Sequence, residues 1–172
     1  MKRAVFILVV LFVFAVPFLY AQEQDSTSLT QSGQSVPDFA VSTIDGELIK
    51  IGDLKGKVVW LNFFATWCPA CMAEMPRLEN EVWQKLKEKD FIVLALGREH
   101  TQEELKAFQK EKGFSFSIAP DPKREVYRLF AKQTIPRNYV INQEGIIVHQ
   151  STGYTPEEFD ILMGRVQEAL EK

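Results

Sequence analysis

The reading turns on Val58-Val59-Trp60-Leu61-Asn62-Phe63-Phe64-Ala65-Thr66-Trp67-Cys68-Pro69-Ala70-Cys71. Its first seven residues are nearly all apolar, the pattern of a strand buried on both faces. A helical pattern starts near Pro69, and proline suits a first turn, where its missing N–H is no loss. Cys68 and Cys71, the chain's only two cysteines, therefore stand at a strand-to-helix turn. Disulfide exchange proceeds by thiolate attack. Free N–H groups and the dipole at a helix start favour negative charge on Cys68. Cys71 follows one turn later, within reach of a disulfide. Cys68 is thus expected to attack and Cys71 to resolve. The plain alternative is a structural bridge, but so small a loop constrains the unfolded chain little.

Outward from this stretch, residues 39–51 read as two short strands around Asp45-Gly46, a hairpin signal. The helix from Pro69 is expected to run to about Lys87, kinked by Pro76. Residues 91–96 read as a second buried strand. Thr101 and Glu104 form a capping box for a helix ending near Gly113. A short strand at 115–119, a helix at 123–131, and a hairpin of 137–142 with 146–150 follow. Thr155, Pro156 and Glu158 open a terminal helix with a second capping box. The order β-β-β-α-β-α-(β)-α-β-β-α predicts an α/β fold: a mixed central sheet with helices on both faces and an N-terminal hairpin.

The 172 residues, 46% of them hydrophobic, suffice for one ordinary core. A net charge of -3 gives no sign of nucleic acid or of an anionic membrane as partner. Lys2 and Arg3 precede an uncharged run over residues 4–20, with small Ala21 and polar residues after it. Residues 1–21 read as a signal peptide, or as an uncleaved membrane anchor. No cysteine lies near residue 21, so lipid attachment to a cysteine is not expected there. Residues 22–35, rich in Ser, Gln and Thr, read as a flexible linker. The folded domain is expected over residues 36–172 and outside the cytoplasm.

Taken together, these residues resemble the thioredoxin superfamily, in its extracytoplasmic TlpA/ResA-like branch of thiol-disulfide oxidoreductases. The likeness rests on the run from Asn62 to Cys71, on Pro76 five residues after Cys71, on Thr134-Ile135-Pro136 before a strand, and on Val36-Pro37-Asp38-Phe39. It covers residues 36–172. One departure from cytoplasmic thioredoxin is Asn62, which stands where that protein has a buried Asp. Asn cannot take a proton. The resemblance offers Glu74 instead, as proton acceptor for Cys71; spacing alone favours a solvated helix glutamate there. The resemblance also implies a cis bond at Pro136, facing the cysteines. The Ile135 backbone would then pair with an extended substrate segment by strand addition, with Trp67 covering one side of Cys68 or joining the core. Arg137 reads as a solvated arginine, and His100 and His149 as structural or surface residues.

The Pro69-Ala70 dipeptide supplies no cation to stabilise a thiolate, which favours a reductant over an oxidant. The expected substrate is a disulfide in an envelope protein, an apocytochrome c among the candidates. No separate cofactor is expected, nor a metal, since two cysteines lack further ligands. Re-reduction would fall to an electron-donating membrane protein, and a monomer is expected. Two other functions stand beside this one. A thiol peroxidase fits the opening segment, although Ala65 occupies the place of the Thr that peroxiredoxins carry three residues before the reactive cysteine. A non-catalytic binding module of the same fold is the third.

Overall fold

The computed structural model describes residues 25–172; the expected signal over 1–21 lies outside them. Strand β3 (Val58–Phe64) is buried along its whole length, as its sequence predicts. It is flanked by β4 (Phe91–Arg98) in parallel and by β6 (Arg137–Ile141) in antiparallel pairing. With β5 (Ser117–Asp121) and β7 (Ile147–Thr152) the sheet order is β5-β4-β3-β6-β7. β1 (Ala40–Ser42) and β2 (Leu48–Lys50) form a separate hairpin, with Gly46 at a φ of +90° in its turn.

Alternation along β3 divides the core. Val58, Trp60 and Phe64 join one apolar cluster with Leu105, Phe108, Phe159, Leu162 and Val166. These last belong to α3 (Gln102–Lys112) and α5 (Pro156–Leu170). Val59, Leu61 and Phe63 face the other side, against the hairpin and Tyr127 and Phe130 of α4 (Tyr127–Phe130). The mixed α/β architecture matches expectation.

The long helix does not stay regular. α1 covers Pro69–Arg77, a wider π-type stretch covers Leu78–Trp83, and α2 covers Gln84–Leu86. Pro76 has no N–H to give and crowds the carbonyl four residues back, so the ladder loosens just beyond it. The Thr101–Glu104 capping box forms in full, and Gly113 ends α3 in the left-handed region. The second box forms by half. Thr155 Oγ1 accepts from the Glu158 N–H, but the Glu158 carboxylate goes to His149 Nε2 at 2.9 Å.

Two expectations require correction. The segment read as a flexible linker is packed from Asp25 onward. Leu29 and Gly33 donate to the carbonyls of Phe130 and Ile147, and buried Thr30 bonds Gln150. Its polar residues find backbone and side-chain partners on the domain, which composition alone does not reveal. Arg137, read as solvated, is only 1% exposed and bonds Asp25, Ser28 and the Gln133 carbonyl.

Candidate active site

Cys68 caps α1 with extended backbone angles, and Pro69 takes the first helical position. The Cys71 N–H points at Cys68 Sγ, 3.2 Å away, so the open end of the helix faces that sulfur. The two cysteines are disulfide-bonded, with Cα atoms 5.3 Å apart. Cys68 is 5% exposed and Cys71 fully buried. Of the two cysteines, only Cys68 keeps any exposed surface.

A turn from a distant part of the chain closes on Cys68. The Ile135–Pro136 peptide bond is cis, and the Ile135 carbonyl oxygen lies 3.8 Å from Cys68 Sγ. The turn is braced from both sides: the Tyr127 hydroxyl donates to the Thr134 carbonyl at 2.6 Å, and Arg137 Nε donates to Gln133 O at 3.1 Å. Thr134 itself sits at a φ of +75°, unusual for a β-branched residue. Among the described residues Ile135 makes no main-chain hydrogen bond. Its backbone groups are available to a strand laid across Cys68.

The loop before Cys68 is pinned from below. Buried His100 accepts the Thr66 N–H through Nε2 at 3.0 Å, and its Nδ1 lies 3.4 Å from Glu104 Oε2. His100 thus meets the Thr66 N–H with one ring nitrogen and turns the other toward Glu104. Trp67 is 60% exposed, so it is a surface aromatic beside Cys68 and not a core one. The Arg98 guanidinium stands 5.7 Å from its ring centre.

Glu74 lies on the inner face of α1, three residues after Cys71, and is 1% exposed. It is not a solvated glutamate. Its Oε2 accepts from Asn62 Nδ2 at 3.0 Å and its Oε1 from Asn138 Nδ2 at 2.6 Å. Burial raises its pKa to about 7, against the two amide hydrogen bonds, which lower it. Asn138 Oδ1 in turn accepts from Asn62 Nδ2 and from Trp60 Nε1, both at 2.8 Å. Asn62 and Asn138 are direct partners across β3 and β6, which is why the three polar groups meet.

The structure thus brings Cys68, Cys71, Ile135 and Pro136 into one site, with Glu74 buried on the cysteine helix and Trp67 at the rim. Sequence reasoning missed Asn138, Trp60, His100 and Tyr127. A polar residue inside each of two apolar strands, Asn62 and Asn138, was the available signal. Among the described residues no cluster of three or more His, Cys, Asp or Glu side chains suits a metal.

Comparison with known families finds the AhpC/TSA family over residues 32–150. The chain belongs to the AhpC/TSA family. Within this thioredoxin-fold family it is 35% identical, over 128 residues, to the thiol-disulfide oxidoreductase ResA of Bacillus anthracis, covering 74% of this chain and 73% of that one. A Bacteroides thetaiotaomicron protein, proposed to be a protein disulfide isomerase, superposes with a TM-score of 0.81 at 34% identity, over 85% of this chain and 94% of that one. A Chlorobium tepidum protein, proposed to be the thiol:disulfide interchange protein DsbE, does so at 0.74 and 30%, over 81% and 98%. This AhpC/TSA family member is a thiol-disulfide oxidoreductase.

Proposed function

We propose that this enzyme reduces disulfide bonds in extracytoplasmic proteins through Cys68 and Cys71. The observation that carries the reading is Cys68, the one cysteine of the pair with any exposed surface, its sulfur at a helix start and 3.8 Å from the Ile135 carbonyl oxygen. An extended substrate segment pairs with Ile135 and brings its disulfide onto Cys68. The Cys68 thiolate attacks one substrate sulfur; a mixed disulfide forms and the other substrate sulfur leaves as thiolate. Glu74 takes the proton of Cys71. The Cys71 thiolate then attacks Cys68 Sγ, which closes the Cys68–Cys71 disulfide and releases the second substrate thiolate. The substrate gains two electrons and the enzyme's dithiol is oxidised.

A membrane protein that donates electrons completes the cycle, with no separate cofactor. An apocytochrome c, whose haem-attaching cysteines must be reduced, is a fitting substrate. The charged-then-apolar leader over residues 1–21 supports an extracytoplasmic site, as a cleaved signal or an anchor.

Cys71→Ser is expected to accumulate a covalent mixed disulfide with a disulfide-bonded test protein, while Cys68→Ser forms none. Trapping through Cys71 instead would overturn the assignment. The AhpC/TSA match gives a second reading, peroxide reduction. Peroxide consumption outpacing reduction of a protein disulfide by the same preparation would favour it.

A further inference from the structure

We propose that Trp60 and Asn138 are positioning residues that fix the Glu74 carboxyl so that it faces N–H donors only. The proposal deepens the reading of Glu74 as proton acceptor, and it starts from what an indole can do. Trp60 Nε1–H donates and never accepts. The Asn138 atom 2.8 Å from it is therefore the amide oxygen. That leaves Asn138 Nδ2 turned to Glu74 Oε1 at 2.6 Å.

The same logic reaches Asn62. Its atom 2.8 Å from the Asn138 oxygen must be nitrogen, and that nitrogen also lies 3.0 Å from Glu74 Oε2. Flipping Asn62 would set oxygen against two acceptors. The Asn62 amide oxygen pays for this orientation, being buried with no partner. One indole on β3 thereby dictates both amides, and both amides present N–H to the carboxyl.

This matters because burial alone drives a carboxyl toward its neutral acid. Among the described residues no charged side chain opposes that drive at Glu74. The groups bonded to it are neutral: Asn62 from β3 and Asn138 from β6. On its own helix Cys71 stands one turn back, held in the disulfide, and Arg77 one turn on, paired with Glu81 and Asp160. The two N–H donors are what stabilises the carboxylate, and a carboxylate can accept the Cys71 proton where an acid cannot. Asn138 also stands two residues beyond Pro136, so the strand that carries the substrate turn carries this donor as well.

The test is titration of the Glu74 side-chain carboxyl by carbon NMR in the oxidised, 13C-Glu-labelled protein, where no turnover is involved. The wild-type midpoint is expected at about 7. Asn138→Leu keeps the shape and removes the donor; Trp60→Phe leaves Glu74 untouched and frees the Asn138 amide to turn. Each is expected to raise the midpoint by about one pH unit, and Asn138→Asp by more, since two carboxyls then share the site. A merely structural role would lower thermal stability without moving the midpoint. An unmoved midpoint in folded Asn138→Leu overturns the proposal, and so does one in Trp60→Phe. A raised midpoint in protein whose mixed-disulfide resolution ignores Glu74→Gln upholds the positioning and removes Glu74 from proton transfer.

Discussion

The Arg137 guanidinium and the Asp25 carboxylate meet at 2.8 Å across 112 residues of sequence. Arg137 follows the cis proline directly, so the start of the described chain is tied to the Ile135–Pro136 turn. The arginine is buried and charged, and it holds Ser28 Oγ and Gln133 O as well. Removing one charge leaves the other unbalanced in a poorly solvated place. Because other partners remain, Asp25→Asn is expected to lower stability by about 1–2 kcal/mol, read by denaturant unfolding at pH 7. Hydrogen bonds from the Thr27 side chain and backbone, with smaller help from Thr152 and Arg137, hold the Asp25 carboxyl below its usual 3.8. A lowered folded-state pKa gives stability that is present above the unfolded value and lost as pH falls. The gap between wild type and Asp25→Asn should therefore narrow below pH 3.8.

Glu74 has the opposite sign. Its pKa rises from 4.5 to about 7 on folding, so the folded state holds its proton longer than the unfolded state does. Stability is then full below pH 4.5 and declines until the pH passes about 7. At about 1.4 kcal/mol per unit the whole decline is about 3 kcal/mol. Glu74→Gln should flatten this part of the profile. Equilibrium unfolding at several pH values between 5 and 8 checks it; equal slopes in the two proteins would contradict the assignment.

His100 is the acceptor for the N–H of Thr66, two residues before Cys68. His100→Ala leaves that part-buried N–H without its partner, at roughly 1 kcal/mol. Protection of the Thr66 amide against hydrogen exchange should fall several-fold. Retained protection would show that the loop holds its shape without the imidazole.

Tyr127 acts on the other side of the sulfur. Tyr127→Phe removes the 2.6 Å bond to Thr134 O and is expected to lower stability by about 1 kcal/mol. KM for a disulfide-bonded protein should rise several-fold if the loosened turn pairs with substrate as proposed. Alkylation of reduced Cys68 by a small reagent should keep its rate, since the helix end is unchanged. A drop in both would place Tyr127 in the chemistry of the sulfur itself.

Local signals carried most of the architecture. The apolar run Val58–Phe64 is the central strand, Asp45-Gly46 turns a hairpin, and Thr101 with Glu104 caps α3. The cysteine pair and the proline turn were likewise visible as motifs. What escaped depends on pairing between distant segments. Asn138 acquires its role from standing opposite Asn62 in the β3–β6 register, and no spacing within either strand announces that. Arg137 is polar in a strand and reads as solvated until Asp25 is seen to reach it. Glu158 has the spacing of a capping residue, yet His149 on β7 competes for its carboxylate.

The margins of the sheet bear on how the enzyme avoids its own kind. Gly33 and Gln34 exchange hydrogen bonds with Ile147 at the start of β7, and the Ile44 N–H reaches Ile118 in β5. Residues before β1 and the hairpin tip thereby blunt both outer strands, which would otherwise invite edge-to-edge association. In the proposed mode a guest strand pairs instead at Ile135, beside Cys68, so that capture and chemistry would coincide.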